Sequence, residues 1–209
     1  EGANLELPEA VLALRIEEAF TKDKILEASA SFKDKLPDSM KEKFVGFTFN
    51  YPEKFVVMPD TTNFIKVEEK MKDPEKGDFT LENFAVGNMS ANLAPSSMEQ
   101  DLLFPMLLEQ METKIAAGFP GYKKAGEVME EVAGVKGRAL TFQAELKNTP
   151  RGDITLYGKV LLARPPGKER GVSIIMLATS LDPDVKSPAD VGVKGDMGQL
   201  LKTFRFTDE

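Results

Sequence analysis

Gly171–Ser180 reads GVSIIMLATS. In an extended chain, successive side chains point to opposite faces. Val172, Ile174, Met176 and Ala178 then share one face, while Ile175 and Leu177 share the other with Ser173 and Thr179. Both faces carry apolar residues, so both need a cover. A buried helical segment is the rival reading. The β-branched Val172, Ile174, Ile175 and Thr179, bracketed by Gly171 and Asp182-Pro183, favour a strand. The stretch predicts a central strand flanked by helices on both sides, or by a helix and a second sheet. Asp at Ile174 or Leu177 is then expected to unfold the protein, because an unpaired charge in a core costs several kcal/mol.

Working back from this strand, Ile154–Ala163, Val135–Ala144 and Lys124–Val132 form a run of further strands. Short polar Pro/Gly loops separate them, at Arg164–Arg170, Asn148–Asp153 and Gly134, which is the pattern of antiparallel hairpins. Before them, Leu103, Leu107, Met111 and Ile115 recur at i+4 and form one apolar stripe of a helix. Ser96 with Glu99, or Ser97 with Gln100, fits a capping box at its start, and Gly118-Phe119-Pro120-Gly121 ends it. Pro105 lies inside the stripe, where it either kinks the helix or opens a second one.

In FVGFTFNYP (residues 44–52), Val45, Phe47, Phe49 and Tyr51 share one face, so this is a half-buried strand ended by Pro52. Phe55–Met58 is a short return strand. Phe64–Met71 alternates with Ile65 and Val67 inward and Lys66 and Glu68 outward, and Phe79–Met89 is a further strand. Residues 8–40 read as helical. Val11, Leu12, Ile16, Ala19 and Phe20 fall at helical spacing after Pro8, and Ile25, Leu26, Ala28, Phe32 and Leu36 follow a Thr21 cap. Beyond the central strand come a loop at Pro188–Asp196, a short helix near Met197–Thr203 and the tail Phe204-Arg205-Phe206. Helices and strands do not alternate strictly. The fold class is therefore α+β, an α/β/α sandwich around a mainly antiparallel sheet with extra N-terminal helices. The division expected is a helical segment over 1–43, packed on a main domain over 44–209.

The chain has 209 residues, a net charge of −7 and 42% hydrophobic residues. An acidic balance argues against nucleic acid as the main partner. It is uneven: residues 1–104 hold 12 Lys/Arg against 20 Asp/Glu, and residues 105–209 hold 15 against 14. There is no His and no Cys. That excludes Ser–His–Asp and Cys–His catalysis, imidazole and thiolate metal ligands, and disulfides. Chemistry would fall to carboxylates, Lys, Tyr, a hard metal ion or a cofactor. No apolar run approaches the ~18 residues of a membrane span. The sequence begins Glu1-Gly2 without an initiator Met, which fits either a processed mature protein that has lost an upstream export signal or a trimmed chain.

The remaining motifs have plain readings. Gly192-Val193-Lys194-Gly195 precedes a helix but lacks the phosphate-loop pattern, so it is a turn. Asp182-Pro183-Asp184 could lend oxygens to calcium, but it lacks calcium-loop spacing and reads as turn chemistry. Glu130 and Glu131 point apart if they lie on a strand. Lys123-Lys124 beside Tyr122, and Arg164 with Lys168 and Arg170, are small basic clusters that read as solvated loop charge. Met98, Met106 and Met111 on the helix read as core filler.

The order of these pieces resembles a known family. An aromatic-x-Tyr-Pro strand (Phe49-Asn50-Tyr51-Pro52) is followed by a Ser-capped helix, a Gly-initiated strand (Gly137–Phe142), a long hairpin and a final helix into Leu200-Leu201-Lys202-Thr203-Phe204. This is similar to the sandwich of the photosystem II extrinsic subunit PsbP, the small Ran-binding nuclear import factor and bacterial DcrB-like lipoproteins, over about Phe44–Phe206. The Trp usual after the Tyr-Pro element is missing, and Phe55 stands in its place. The resemblance implies a binding or assembly module without catalysis, often outside the cytoplasm; no cofactor and no metal are expected. These families share a fold and not a chemistry, so it assigns no catalytic, cofactor, metal or binding residue. The expected function is a non-enzymatic, extracytoplasmic or membrane-anchored binding protein with a protein partner. The alternatives are a cytosolic protein-binding module and a carrier of an apolar ligand suggested by the Met- and Phe-rich interior.

Overall fold

The computed structural model describes residues 24–27, 45–58, 64–89 and 97–207, with the side chains of 24–27 and 97–101 left aside. Its strands are β1 (Lys24–Glu27), β2 (Phe47–Tyr51), β3 (Phe55–Val57), β4 (Ile65–Met71), β5 (Phe79–Asn88), β6 (Lys123–Val132), β7 (Val135–Thr149), β8 (Gly152–Ala163), β9 (Val172–Thr179) and β10 (Arg205–Phe206). Its helices are α1 (Ser97–Gly118) and α2 (Gly195–Thr203).

The central strand is where the opening stretch puts it. β9 is the fourth strand of a seven-stranded sheet ordered β3-β4-β5-β9-β8-β7-β6, antiparallel at every pairing. Its alternation sorts the interior. Val172, Ile174, Met176 and Ala178 lie fully buried in one cluster with Phe47, Phe49, Phe84, Leu200 and Phe204. Ile175 and Leu177 face a second cluster with Phe104, Leu108, Leu140 and Phe142. The first face is closed by α2 together with a three-stranded sheet, β1-β2-β10. The second is closed by α1. The α+β sandwich around a mainly antiparallel sheet is thus the observed architecture, and its two faces have different covers.

β2 is buried at every second residue, as FTFNY requires when only one face meets the core. Phe55, in the place of the missing Trp, is buried in the same cluster. Gly158 on β8 has a steric role: a Cβ there would sit 2.1 Å from the ring of Phe142, so only Gly lets that ring lie flat on the sheet.

Four expectations need correction. Ile25 and Leu26, read as helical, lie in β1, paired antiparallel with Asn50 and Phe49 of β2. An apolar pair between charged residues suits either period, and an available edge of β2 decides for strand. The rest of the helical reading over 8–40 falls outside the described residues. The buried line of α1 is Phe104 and Leu108, while Leu103, Leu107, Met111 and Ile115 are only half-buried on its shoulder. Glu68, read as facing water, is buried on the α1 side of the sheet, where Lys66 Nζ at 2.7 Å and Asn83 Nδ2 at 3.1 Å satisfy it. Arg164, read as solvated loop charge, is also buried. Pro105 stays within one helix, and among the described residues no helix is long and apolar enough to cross a membrane.

Candidate functional site

α1 packs chiefly on β7 and β8. A 22-residue helix is a narrow rod, about 10 Å across with its side chains, and cannot span a seven-stranded face. The β9 and β5 side of that face is left uncovered beside the helix, and a groove of about 370 Å³ opens there. Leu107, Met111 and Ile115 of α1 form one wall. Leu162 and Ile175 of the sheet form its floor, and Phe64 and Met89 close its end. Polar groups are few. Gln110 and the exposed Lys114 come from α1, and Asn88 and Ser173 from the sheet. Asn88 and Ser173 are already engaged: Asn88 Oδ1 accepts from the Val45 backbone N–H at 2.7 Å, and the Ser173 hydroxyl donates to the Gly87 carbonyl. This volume lies within the range of small-ligand sites, which are mostly apolar with a few polar groups at fixed points. The half-buried shoulder of α1, which looked like core spacing in the sequence, is the groove wall.

Among the described residues, no carboxylate lines this groove. With no His or Cys in the chain, its lining offers no general acid–base pair. Carboxylates gather on the opposite face instead. Glu69 of β4 and Glu82 of β5 are direct cross-strand partners, and Asp196 in the first turn of α2 lies over them. Glu82 is 2% exposed, and among the described residues neither of its oxygens meets an N–H donor. Burial, and then the nearby Asp182 carboxylate, push its carboxyl up to about 9. Burial also raises Glu69, against the pull of Lys54. Lys54 stands between Glu69, at 3.2 Å, and Asp196; burial works to lower it, but the two carboxylates outweigh burial and hold it above the ordinary range.

The remaining motifs fall as follows. Asp182 Oδ1 accepts from the Asp184 backbone N–H at 2.7 Å, so Asp-Pro-Asp is a turn. Asp182 itself is buried toward Glu82, and Asp184 is exposed. Gly192 and Gly195, with φ of 71° and 60°, form the expected turn before α2. Glu130 and Glu131 point apart on β6: Glu130 holds the buried Lys159 ammonium at 3.0 Å, and Glu131 faces out. Lys123 and Lys124 open β6 and are not loop residues. Lys124 ties β6 to α1 through Glu112 at 2.9 Å and to Glu127 at 2.7 Å, and Tyr122 packs on Phe142. Arg170 donates to the Met89 carbonyl at the groove end, and Lys168 is exposed. Met111 lines the groove and Met106 is exposed, so neither is plain core filler; the side chain of Met98 is outside the described set. Glu69, Glu82 and Asp196 carried no signal in the sequence, because their meeting depends on strand register and on where α2 docks.

The sequence matches no protein-family model and no curated protein. Solved structures do match. The Ran-binding protein Mog1p of Saccharomyces cerevisiae superposes with a TM-score of 0.50 at 14% identity, covering 88% of this chain and 94% of that one. LpqN of Mycobacterium tuberculosis, described as involved in cell envelope biogenesis, gives 0.48 at 11% identity over 79% and 85%. The cyanobacterial PsbP of Synechocystis gives 0.43 at 9% over 77% and 86%. The resemblance drawn from the Tyr-Pro strand, the mid-chain helix and the final Thr-Phe thus holds at the level of fold: this chain has the sandwich architecture of Mog1p.

Proposed function

We propose that this chain is a non-enzymatic binding protein, and that the groove beside α1 holds the apolar part of a small amphiphile. The observation that carries the reading is the groove itself, about 370 Å³ of mostly apolar wall with the exposed Lys114 on its lining and no carboxylate among the described residues. An ammonium beside an apolar slot suits a ligand with an apolar body and an anionic head. Such ligands occur at membranes, so the reading includes the cell-envelope placement expected from the sequence. The test is a fluorescence titration with 1-anilinonaphthalene-8-sulfonate, followed by displacement with dodecanoate. Saturable, displaceable binding that Met111→Trp weakens at least tenfold supports the reading. Absence of saturable binding, or binding indifferent to Met111→Trp, removes it. Fractionation of native cells tests the placement, and recovery in the cytosol alone would end that part.

A second reading has its own observation. Leu102 and Met106 lie one helical turn apart on the outer side of α1 and are 70% and 55% exposed. Exposed apolar pairs of this kind suit a protein partner, and Mog1p is described as Ran-binding.

A further inference from the structure

Buried carboxylates in proteins are satisfied by donors or by a cation. Among the described residues Glu82 meets no N–H donor and no cation: it is 2% exposed, and the polar group against it is another carboxylate, that of Asp182. What surrounds it is more negative charge. Glu69, Glu82 and Asp196 each place an oxygen so that all three lie within 4.8 Å of one another. Asp182 stands close by and adds a fourth carboxylate. Among the described residues, Lys54 is the cation in contact with this set. It reaches Glu69 and Asp196 but not Glu82, and its side chain is 49% exposed, free to swing into water.

The donor set is all oxygen, with no nitrogen or sulfur, which selects hard cations over zinc or copper. Bonds of about 2.3–2.6 Å from one central ion would span oxygens at this separation, as calcium sites do. The three residues come from β4, β5 and α2, so an ion here would also tie α2 to the sheet.

We infer that Glu69, Glu82 and Asp196 form a binding site for a hard divalent cation of the calcium class, and that Lys54 is the ammonium it displaces. The site is independent of the groove, which lies on the other face of the sheet.

The experiment is calorimetric titration of the full chain, stripped with EDTA and dialysed, with CaCl2, alongside thermal melts. The expected result is one ion per chain and a melting temperature that climbs with CaCl2. Glu82→Gln, which keeps volume and removes charge, should weaken binding at least tenfold. Lys54→Met, which removes the competing ammonium, should tighten it. Should Glu82→Gln not fold, Asp196→Asn, at a partly exposed position, carries the same comparison. The inference is overturned if neither heat nor a melting shift appears up to about 5 mM CaCl2, beyond the weak end of protein calcium sites at about 10⁻⁴–10⁻³ M. It is equally overturned if the charge-removing variants bind as the parent does, since Glu82 would then be a neutral carboxylic acid and not a ligand.

Discussion

The two faces of the central sheet are built from one alternating pattern and end in different states. On the α2 side, Phe47, Phe49, Phe84, Ile174, Met176, Leu200 and Phe204 are all fully buried. The rings pack on one another, Phe49 tilted against Phe84 at 4.9 Å and Phe47 stacked on Phe204 at 5.6 Å. On the α1 side, Phe104 and Leu108 are buried, yet Ile175, Leu177, Leu107 and Met111 are only partly covered. The difference lies in the covers. A helix plus a small sheet closes the first face; one helix lies over part of the second. The closed face holds the fold together, and the open face is where an apolar ligand has room.

Opposite substitutions on one strand give the sharpest way to break this contrast. Ile174→Asp places an unpaired charge in the closed face, at a cost of several kcal/mol against a total stability of about 5–15 kcal/mol. Loss of the cooperative transition in circular dichroism is expected. Leu177→Asp, three residues along on the open face, can reach water and should leave a folded, weaker protein. The sequence alone puts both at equal risk; the structure separates them. If both variants melt together, the open face is closed in solution and the groove reading falls with it.

Acid should loosen the closed face by a different route. Asp190 precedes the turn into α2 and accepts from Lys194, at 2.7 Å, from the Ser187 hydroxyl and from the Lys186 backbone N–H. Lys194 first, then Ser187 and the backbone, hold its carboxyl down at about 2. The sign follows from linkage. A carboxyl lower in the folded than in the unfolded chain contributes stability above the ordinary value of 3.8, and loses it as pH falls through about 2. Urea melts of the parent and of Asp190→Asn should therefore differ at pH 6 and converge by pH 2. An equal gap at both values would show that Asp190 acts by packing and not by charge.

Much of the frame was legible because it rests on local periods. The alternation in Gly171–Ser180 fixes β9 as two-faced, and the short polar loops before it fix the hairpins. The alternation FTFNY fixes the buried side of β2. What was not legible depends on long-range choice. Ile25 and Leu26 turn strand because β2 offers an edge, and β10 pairs on the other edge of the same strand. The Leu103–Ile115 stripe has core spacing, but nothing local says that α1 leaves part of the face bare. The Glu69–Glu82 pair sits opposite only through the β4–β5 register, thirteen residues apart in the chain. Asp196 joins it only because the turn at Gly192–Gly195 brings α2 down over that spot.

The smallest expected effect separates the two functional readings. Leu102 and Met106 sit on α1 away from both clusters, so replacing both with Ser removes little buried surface. Stability should stay within about 0.5 kcal/mol of the parent, the range for surface positions without special roles. Binding of the anilinonaphthalene probe should stay unchanged as well, because neither side chain lines the groove. A double variant that keeps the probe and its stability assigns the groove to the ligand and leaves the outer side of α1 free for a partner. One that loses the probe would mean that the groove extends over the outer side of α1, and that the ligand and the partner compete for one surface.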